Sequence, residues 1–136
     1  MLPKFRAWDK NNAYMEYTEK NLTVVFSQDG IQVVDHTTFS SSCTNMEDYV
    51  LLQSTGLKDK NDKEIFESEI VDVRTLEGTI YLRGVVKKVK GGFYIEGLYR
   101  SKNIPLTDFY FKSYTNTLEI KIIGNIYQDK DLLEEE

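Results

Sequence analysis

The feature that most constrains the fold is an alternation of apolar and polar residues, because a period of two fits a half-buried β-strand and does not fit a helix. In TLEIKIIGNIY the apolar residues fall on one face of an extended chain, and they are Leu118, Ile120, Ile122 and Ile126. The sequence therefore predicts a central strand over residues 117–127, with Ile120 in the core.

Glycine-containing turns separate further β-rich stretches. LTVVFSQDGIQVVD places two of them around Asp29-Gly30, a pair that favours the positive φ angles of a tight hairpin. TIYLRGVVKKVKGGFYIEGLYR repeats the pattern, with Gly91-Gly92 between a strand near 79–89 and another near 93–100. Helix signals are scarce, so the fold class is predicted to be mainly β.

A charged turn marks the main internal boundary. The run KDKND contains no apolar residue and predicts an exposed turn over residues 57–63, after which the chain returns to a packed strand. Residues 56–128 supply about five strands, which suits an SH3-like β-barrel. A smaller β-rich part is predicted over residues 1–55. Residues 129–136 are predicted to be an acidic tail with at most a short, frayed last turn.

Composition removes several classes of protein. The 136 residues include one cysteine, Cys43, and one histidine, His36, so neither an internal disulfide nor a zinc cluster is expected. The chain has no apolar run of about 18 residues, the length that a membrane helix needs, and MLPKFRAWDK lacks the apolar core of a secretory signal. We therefore expect a cytoplasmic protein without a metal or cofactor.

Two clusters of reactive side chains invite a catalytic or metal-binding interpretation. VVDHTTFSSSC brings together Asp35, His36, Ser40, Ser41, Ser42 and Cys43. Neighbours on a strand point to opposite faces, so the first two could not readily act together, and a polar loop is favoured. The other cluster is Asp59, Asp62, Glu64, Glu67 and Glu69. It lacks EF-hand spacing and is interleaved with lysines, so a solvated turn is favoured.

A basic and aromatic stretch is the strongest candidate for binding. Residues 71–128 contain nine Lys and Arg against five Asp and Glu, although the whole chain has a net charge of −5. Basic residues are interleaved with aromatic residues in this stretch. They are Tyr81, Arg83, Lys87, Lys88, Lys90, Phe93, Tyr94, Tyr99, Arg100 and Lys102. Such a mixture can bind phosphates and stack bases on a β-barrel, but aromatic residues also form barrel cores.

Strand periodicity narrows this stretch to a smaller surface. If Ile80, Leu82 and Val86 point inward, Arg83 and Lys87 share the outer face. The predicted binding surface is Tyr81, Arg83, Lys87, Tyr99 and Arg100. Binding to another protein is favoured, because an acidic chain repels polyanions at long range. A nucleic-acid-binding barrel that uses segment 81–102 is the alternative.

Three segments carry a family resemblance. KFRAWDK at the start, TGLKDKNDKEIFESEIV in the middle and IGNIYQDKDLL at the end resemble the YopX family of phage and prophage proteins. The resemblance implies an SH3-like barrel after an N-terminal β-rich part, in a protein encoded by a bacteriophage or prophage, with no established activity. The chain departs from the family where its usual Gly-Asp before Ile-Val is Ser68-Glu69. A bend at position 68 would therefore have to form without glycine.

Together these observations predict a small, non-enzymatic accessory protein of a phage or prophage in the bacterial cytoplasm. The favoured role of this protein is to bind a host or phage protein. A homo-oligomer is left open, because unpaired strand edges can pair with a second copy.

Overall fold

The computed structural model describes residues 4–17, 22–27, 30–35, 42–44, 49–90, 92–98, 103–107 and 118–134. In these ranges the chain is mainly β, as predicted. The strands are β1 Phe5–Asp9, β2 Tyr14–Tyr17, β3 Leu22–Ser27, β4 Gly30–Asp35, β5 Ser42–Thr44, β6 Tyr49–Lys58, β7 Glu64–Phe66, β8 Glu69–Thr75, β9 Ile80–Val89, β10 Gly92–Gly97, β11 Asn103–Pro105 and β12 Leu118–Asn125, and a 3₁₀ helix covers Lys130–Leu133.

The chain divides into two compact units, Met1–Ser54 and Thr55–Glu136. In the first unit, β1 pairs antiparallel with β2 on one side and with the first part of β6 on the other. Strands β3, β4 and β5 form a separate antiparallel sheet. The β3–β4 hairpin lies where Asp29-Gly30 predicted one, but Gly30 already pairs with Ser27 as the first residue of β4.

The second unit contains an antiparallel sheet of five strands in the order β11-β10-β9-β8-β12. Its core consists of aliphatic side chains from β7, β8, β9, β10 and β12 and from the residue that follows β11. They are Ile65, Val71, Val73, Leu82, Val86, Ile95, Leu106 and Ile120. The predicted inward positions of Leu82, Val86 and Ile120 are thus confirmed. The finer expectation of an SH3-like barrel over residues 56–128 stays a prediction.

Strand β12 differs from its prediction in two respects. It lies last in the strand order rather than in the centre. The connection between β6 and β7 lies next to β12, where the Lys60 amide donates a hydrogen bond to the Ile120 carbonyl at 2.9 Å. A register shift between Ile122 and Gly124 also ends the strict alternation, so Ile126 falls in the turn after the strand.

A second register shift explains why Ile80 is not inward as predicted. Val73 pairs with Leu82 and Arg74 pairs with Ile80, which leaves Tyr81 as an extra residue between them. Ile80 is 48% exposed and Tyr81 is 53% exposed. The bulge turns both side chains towards solvent, whereas simple alternation would bury one of them.

The bend at position 68 forms without glycine. Ser68 adopts a left-handed φ of 68°. Two backbone hydrogen bonds hold it, from the Ser68 amide to the Val86 carbonyl (2.8 Å) and from the Ile126 amide to the Ser68 carbonyl (3.1 Å). A residue with a Cβ atom is therefore kept in a conformation that favours glycine.

We expect Ser68→Gly to stabilise the protein. Relief of the left-handed strain should exceed the extra chain entropy of an unfolded glycine by about 0.5–1 kcal/mol. The free energy of unfolding in urea measures the effect. The matched control is Ser54→Gly in β6, where φ is not positive and glycine should destabilise. A loss of stability in Ser68→Gly would show that the bend stores no strain.

Candidate functional site

The structure shows three of the five residues of the predicted binding surface, because Tyr99 and Arg100 lie outside the described residues. Tyr81 is exposed at the bulge of β9. Arg83 and Lys87 lie on the same strand, but each has an acidic partner. The nature of these two ion pairs determines how much positive charge the surface presents.

Arg83 belongs to a buried ionic network centred on Asp72. The Asp72 side chain is fully buried, and its two carboxylate oxygens accept hydrogen bonds from Arg83 Nε at 2.7 Å and Nη2 at 3.2 Å. Arg74 Nη2 donates to the same carboxylate at 3.3 Å. Arg83 Nη1 also donates to the Leu132 carbonyl of the 3₁₀ helix at 3.4 Å. The guanidinium of Arg83 is thus hydrogen-bonded to groups of its own unit, although the side chain remains 32% exposed.

Lys87 contributes less charge to the surface than its position suggested. Its Nζ lies 3.5 Å from a carboxylate oxygen of Glu96 on β10, and both side chains are about half exposed. A pair of this kind contributes at most about 1 kcal/mol to stability, but it offsets local charge. The sequence predicted that Arg83 and Lys87 share the outer face of the strand, and the structure shows that each of them has an acidic partner.

A groove lies nearby, at the end of the β9–β10 hairpin and along β11. Its volume is about 410 Å³, and its lining residues are Val89, Lys90, Gly92, Phe93, Tyr94, Asn103, Pro105 and Thr107. Half of these are apolar or aromatic. Lys90 is exposed and forms no ion pair with any residue that the structure describes. The described lining thus combines apolar surface with an available cation, Lys90.

Buried residues on the neighbouring strands hold the groove in place. Ile95 on β10 pairs with Ile104 on β11, and Ile95 is fully buried. Leu106, which follows β11, is also fully buried, and its amide donates to the Phe93 carbonyl at 3.0 Å. The groove walls are therefore fixed by core packing. The sequence singled out Lys90, Phe93 and Tyr94, but it gave no signal for β11, which is only three residues long.

The predicted solvated turn at KDKND has a buried residue at its centre. Asp59 is 8% exposed. Its Oδ1 accepts hydrogen bonds from the amides of Asn61 and Lys63, both at 2.9 Å, and its Oδ2 accepts one from the Ile122 amide on β12 at 3.0 Å. Asp59 therefore connects the turn to β12. The expectation of an exposed turn over residues 57–63 is therefore wrong at Asp59, and also at Leu57, which lies in β6 and packs against the core.

We expect Asp59→Asn to destabilise the second unit by about 1.5–3 kcal/mol, because an amide nitrogen would replace a carboxylate oxygen that faces a backbone donor. Equilibrium unfolding in urea measures the loss. Asp62→Asn is the matched control, since the Asp62 side chain is 84% exposed and its left-handed φ of 66° suits asparagine. Equal stability of the two variants would contradict the role of Asp59.

The remaining candidate clusters do not form a site in the described part of the chain. Asp35 and Ser42 pair across β4 and β5, whereas His36 and the serines at 40 and 41 lie outside the described residues. Among the described residues, no three His, Cys, Asp or Glu side chains are placed to hold a metal ion. The described residues also contain no helix long and apolar enough to span a bilayer.

Comparisons with known proteins agree with the architecture. The family model described as YopX protein matches residues 4–134. The chain is similar to the crystal structure of protein EF1440 from Enterococcus faecalis, with 26% identity, a TM-score of 0.63, and coverage of 98% of this chain and 99% of the other. It is also similar to protein yopX from Bacillus subtilis, with 20% identity, a TM-score of 0.70 and coverage of 96% and 98%. No curated protein sequence matches it.

Proposed function

The chain belongs to the YopX family, and from that premise we propose that it is a non-enzymatic accessory protein of a phage or prophage that acts in the bacterial cytoplasm by binding another protein. The observation that carries this proposal is the groove at the β9–β10 hairpin. It is concave, partly apolar and fixed by core packing, as sites that bind other molecules usually are.

The chemistry of the described ionisable residues favours binding over catalysis. The buried carboxylates of Asp59 and Asp72 are taken up by hydrogen bonds within the second unit. Of the described residues that line the groove, Lys90 and Tyr94 are ionisable. A general acid–base pair needs two titratable groups within reach of one reacting centre and tuned to different roles. This lining supplies apolar surface and a cation, which suit recognition.

A protein partner is also favoured over nucleic acid. Binding to a polyanion depends on several cations that contact phosphates, and each contact adds to the salt dependence of binding. Arg83 is bound to a buried carboxylate and Lys87 faces Glu96. The groove retains an apolar and aromatic lining, which is the typical character of the centre of a protein interface.

Site-specific photo-crosslinking tests this proposal. We would incorporate p-benzoylphenylalanine in place of Val89 at the groove, or in place of Leu76 as a control, because these side chains are 49% and 60% exposed. Both proteins would be irradiated in a Bacillus subtilis lysate, and the adducts identified by mass spectrometry and re-formed with the purified partner. We expect a defined protein adduct from position 89 and none from position 76.

Two results would oppose the proposal. Adducts that form equally from both positions would show that the groove has no special role. Adducts to nucleic acid that form from position 89 and disappear after nuclease treatment would support the nucleic-acid-binding alternative.

A further inference from the structure

We infer that the groove at the β9–β10 hairpin recognises a short, extended, acidic segment of its partner that carries at least one large apolar side chain. This inference rests on the proposed function and specifies the partner's chemistry. It follows from the charge, the lining and the size of the groove.

The charge around the groove selects for carboxylates. Near the end of the hairpin Lys87 lies beside Glu96, so the positive charge that faces the groove comes from Lys90. Lys88 and Lys90 are exposed, and Lys90 lines the groove. Among the described residues that line the groove there is no Asp or Glu. A partner segment with carboxylates would therefore be attracted to this end of the hairpin, whereas a basic segment would be repelled.

The lining selects for an apolar side chain. Val89, Phe93, Tyr94 and Pro105 present apolar and aromatic surface. Val89 is 49% exposed, and Phe93 and Tyr94 are only partly buried. A bound apolar side chain would remove this surface from water, which contributes about 25 cal/mol per Å². The groove therefore offers a partner apolar contacts as well as electrostatic attraction.

The small size of the groove favours a segment over a folded surface, and the exposure of its polar side chains favours a segment over a metabolite. Its volume of about 410 Å³ lies near the lower end of ligand-binding pockets, which span about 300–1,000 Å³. Small-molecule sites usually contain several converging polar groups. Here the polar side chains of Lys90, Asn103 and Thr107 are all exposed, so they suit the rim of a peptide site.

Fluorescence anisotropy with synthetic peptides tests the inference on the full chain. The first probe is a labelled nine-residue peptide of Glu and Asp with Leu and Phe at two positions. In the second probe Gln and Asn replace the acids, and in the third Ser replaces the apolar residues. A twenty-nucleotide oligo-dT serves as the nucleic-acid probe. We expect the first peptide to bind at least fivefold more tightly than the second and the third.

Two variants connect binding to the groove. Lys90→Glu should weaken binding of the first peptide by roughly tenfold, since it turns an attraction into a repulsion. Lys130→Glu makes the same charge change outside the groove lining and should change affinity by less than about twofold. Val89→Ser should weaken binding by roughly threefold through the loss of apolar contact. All three positions are exposed or half exposed, so the fold should be retained.

The outcomes separate this inference from the function on which it rests. Equal binding of the neutral and acidic peptides, with no effect of Lys90→Glu, would overturn the acidic class of partner. Protein binding would stand if position 89 still gave a protein adduct. No binding of any peptide at millimolar concentration would also overturn the inference. Tight oligo-dT binding that Lys90→Glu abolishes would overturn both.

Discussion

Replacing Ile120 with aspartate is expected to unfold the second unit. Ile120 is 5% exposed and packs in the core between the strands, opposite Val73 on β8. A carboxylate at this position would lose its hydration without gaining a partner, and it would also lose the apolar contacts of the isoleucine. We expect a loss of at least about 4 kcal/mol, which is a large fraction of the stability of a small domain.

Far-UV circular dichroism during thermal unfolding measures this loss. The matched control is Ile120→Val, which removes one methylene from the same position and should cost about 1 kcal/mol. Leu76→Asp serves as a second control, because it also replaces an aliphatic residue with aspartate, but at a position where the side chain is 60% exposed. An unchanged melting temperature in Ile120→Asp would show that Ile120 does not belong to the core.

Removal of the Asp72 carboxylate is the second large effect. In Asp72→Ala, Arg74 and Arg83 would lose the group that offsets their charge, although they could still recover some hydration because they remain 25% and 32% exposed. We therefore expect a cost of about 3 kcal/mol, at the lower end of the effect of breaking a buried ion pair.

Urea denaturation of a double-mutant cycle isolates this interaction. Asp72→Leu combined with Arg83→Met should cost less stability than the sum of the two single replacements, because Arg83 is then not left without its carboxylate and only Arg74 keeps an uncompensated charge. Glu96→Ala is the control, since it breaks the exposed pair with Lys87 and should cost less than about 1 kcal/mol. Additive effects of the two replacements at 72 and 83 would show that Arg83 is not coupled to Asp72.

Much of the architecture could be predicted because it depends on local chemistry. Alternation located β12 and the inward positions of Leu82 and Val86, and glycines located the two hairpins. The hairpin positions were offset by one residue. Gly92 pairs with Val89 as the first residue of β10, just as Gly30 begins β4. Glycine marks a turn region, but the strand register decides which residue belongs to the strand.

The partners of the charged residues could not be predicted in the same way, because they depend on how neighbouring strands pair. Asp72 lies between two valines, and nothing in the local sequence shows that Arg83 faces it on the neighbouring strand. The bulge at Tyr81 was hidden for the same reason, since a register shift leaves no local signature. The groove depends on β11, whose pairing with β10 places Pro105 opposite Tyr94.

The attachment of Asp59 and Lys60 to β12 has a consequence for solubility. Strand β12 ends the sheet, and an uncovered terminal strand offers free backbone groups on which another chain can assemble. At Ile120 and Ile122 these groups are already occupied by the turn, and the turn is densely charged. The segment that looks most like an ordinary solvated loop thus shields an isoleucine-rich strand from aggregation. We therefore expect variants that detach this segment from β12 to aggregate. They would be recovered as insoluble protein, so their binding could not be measured.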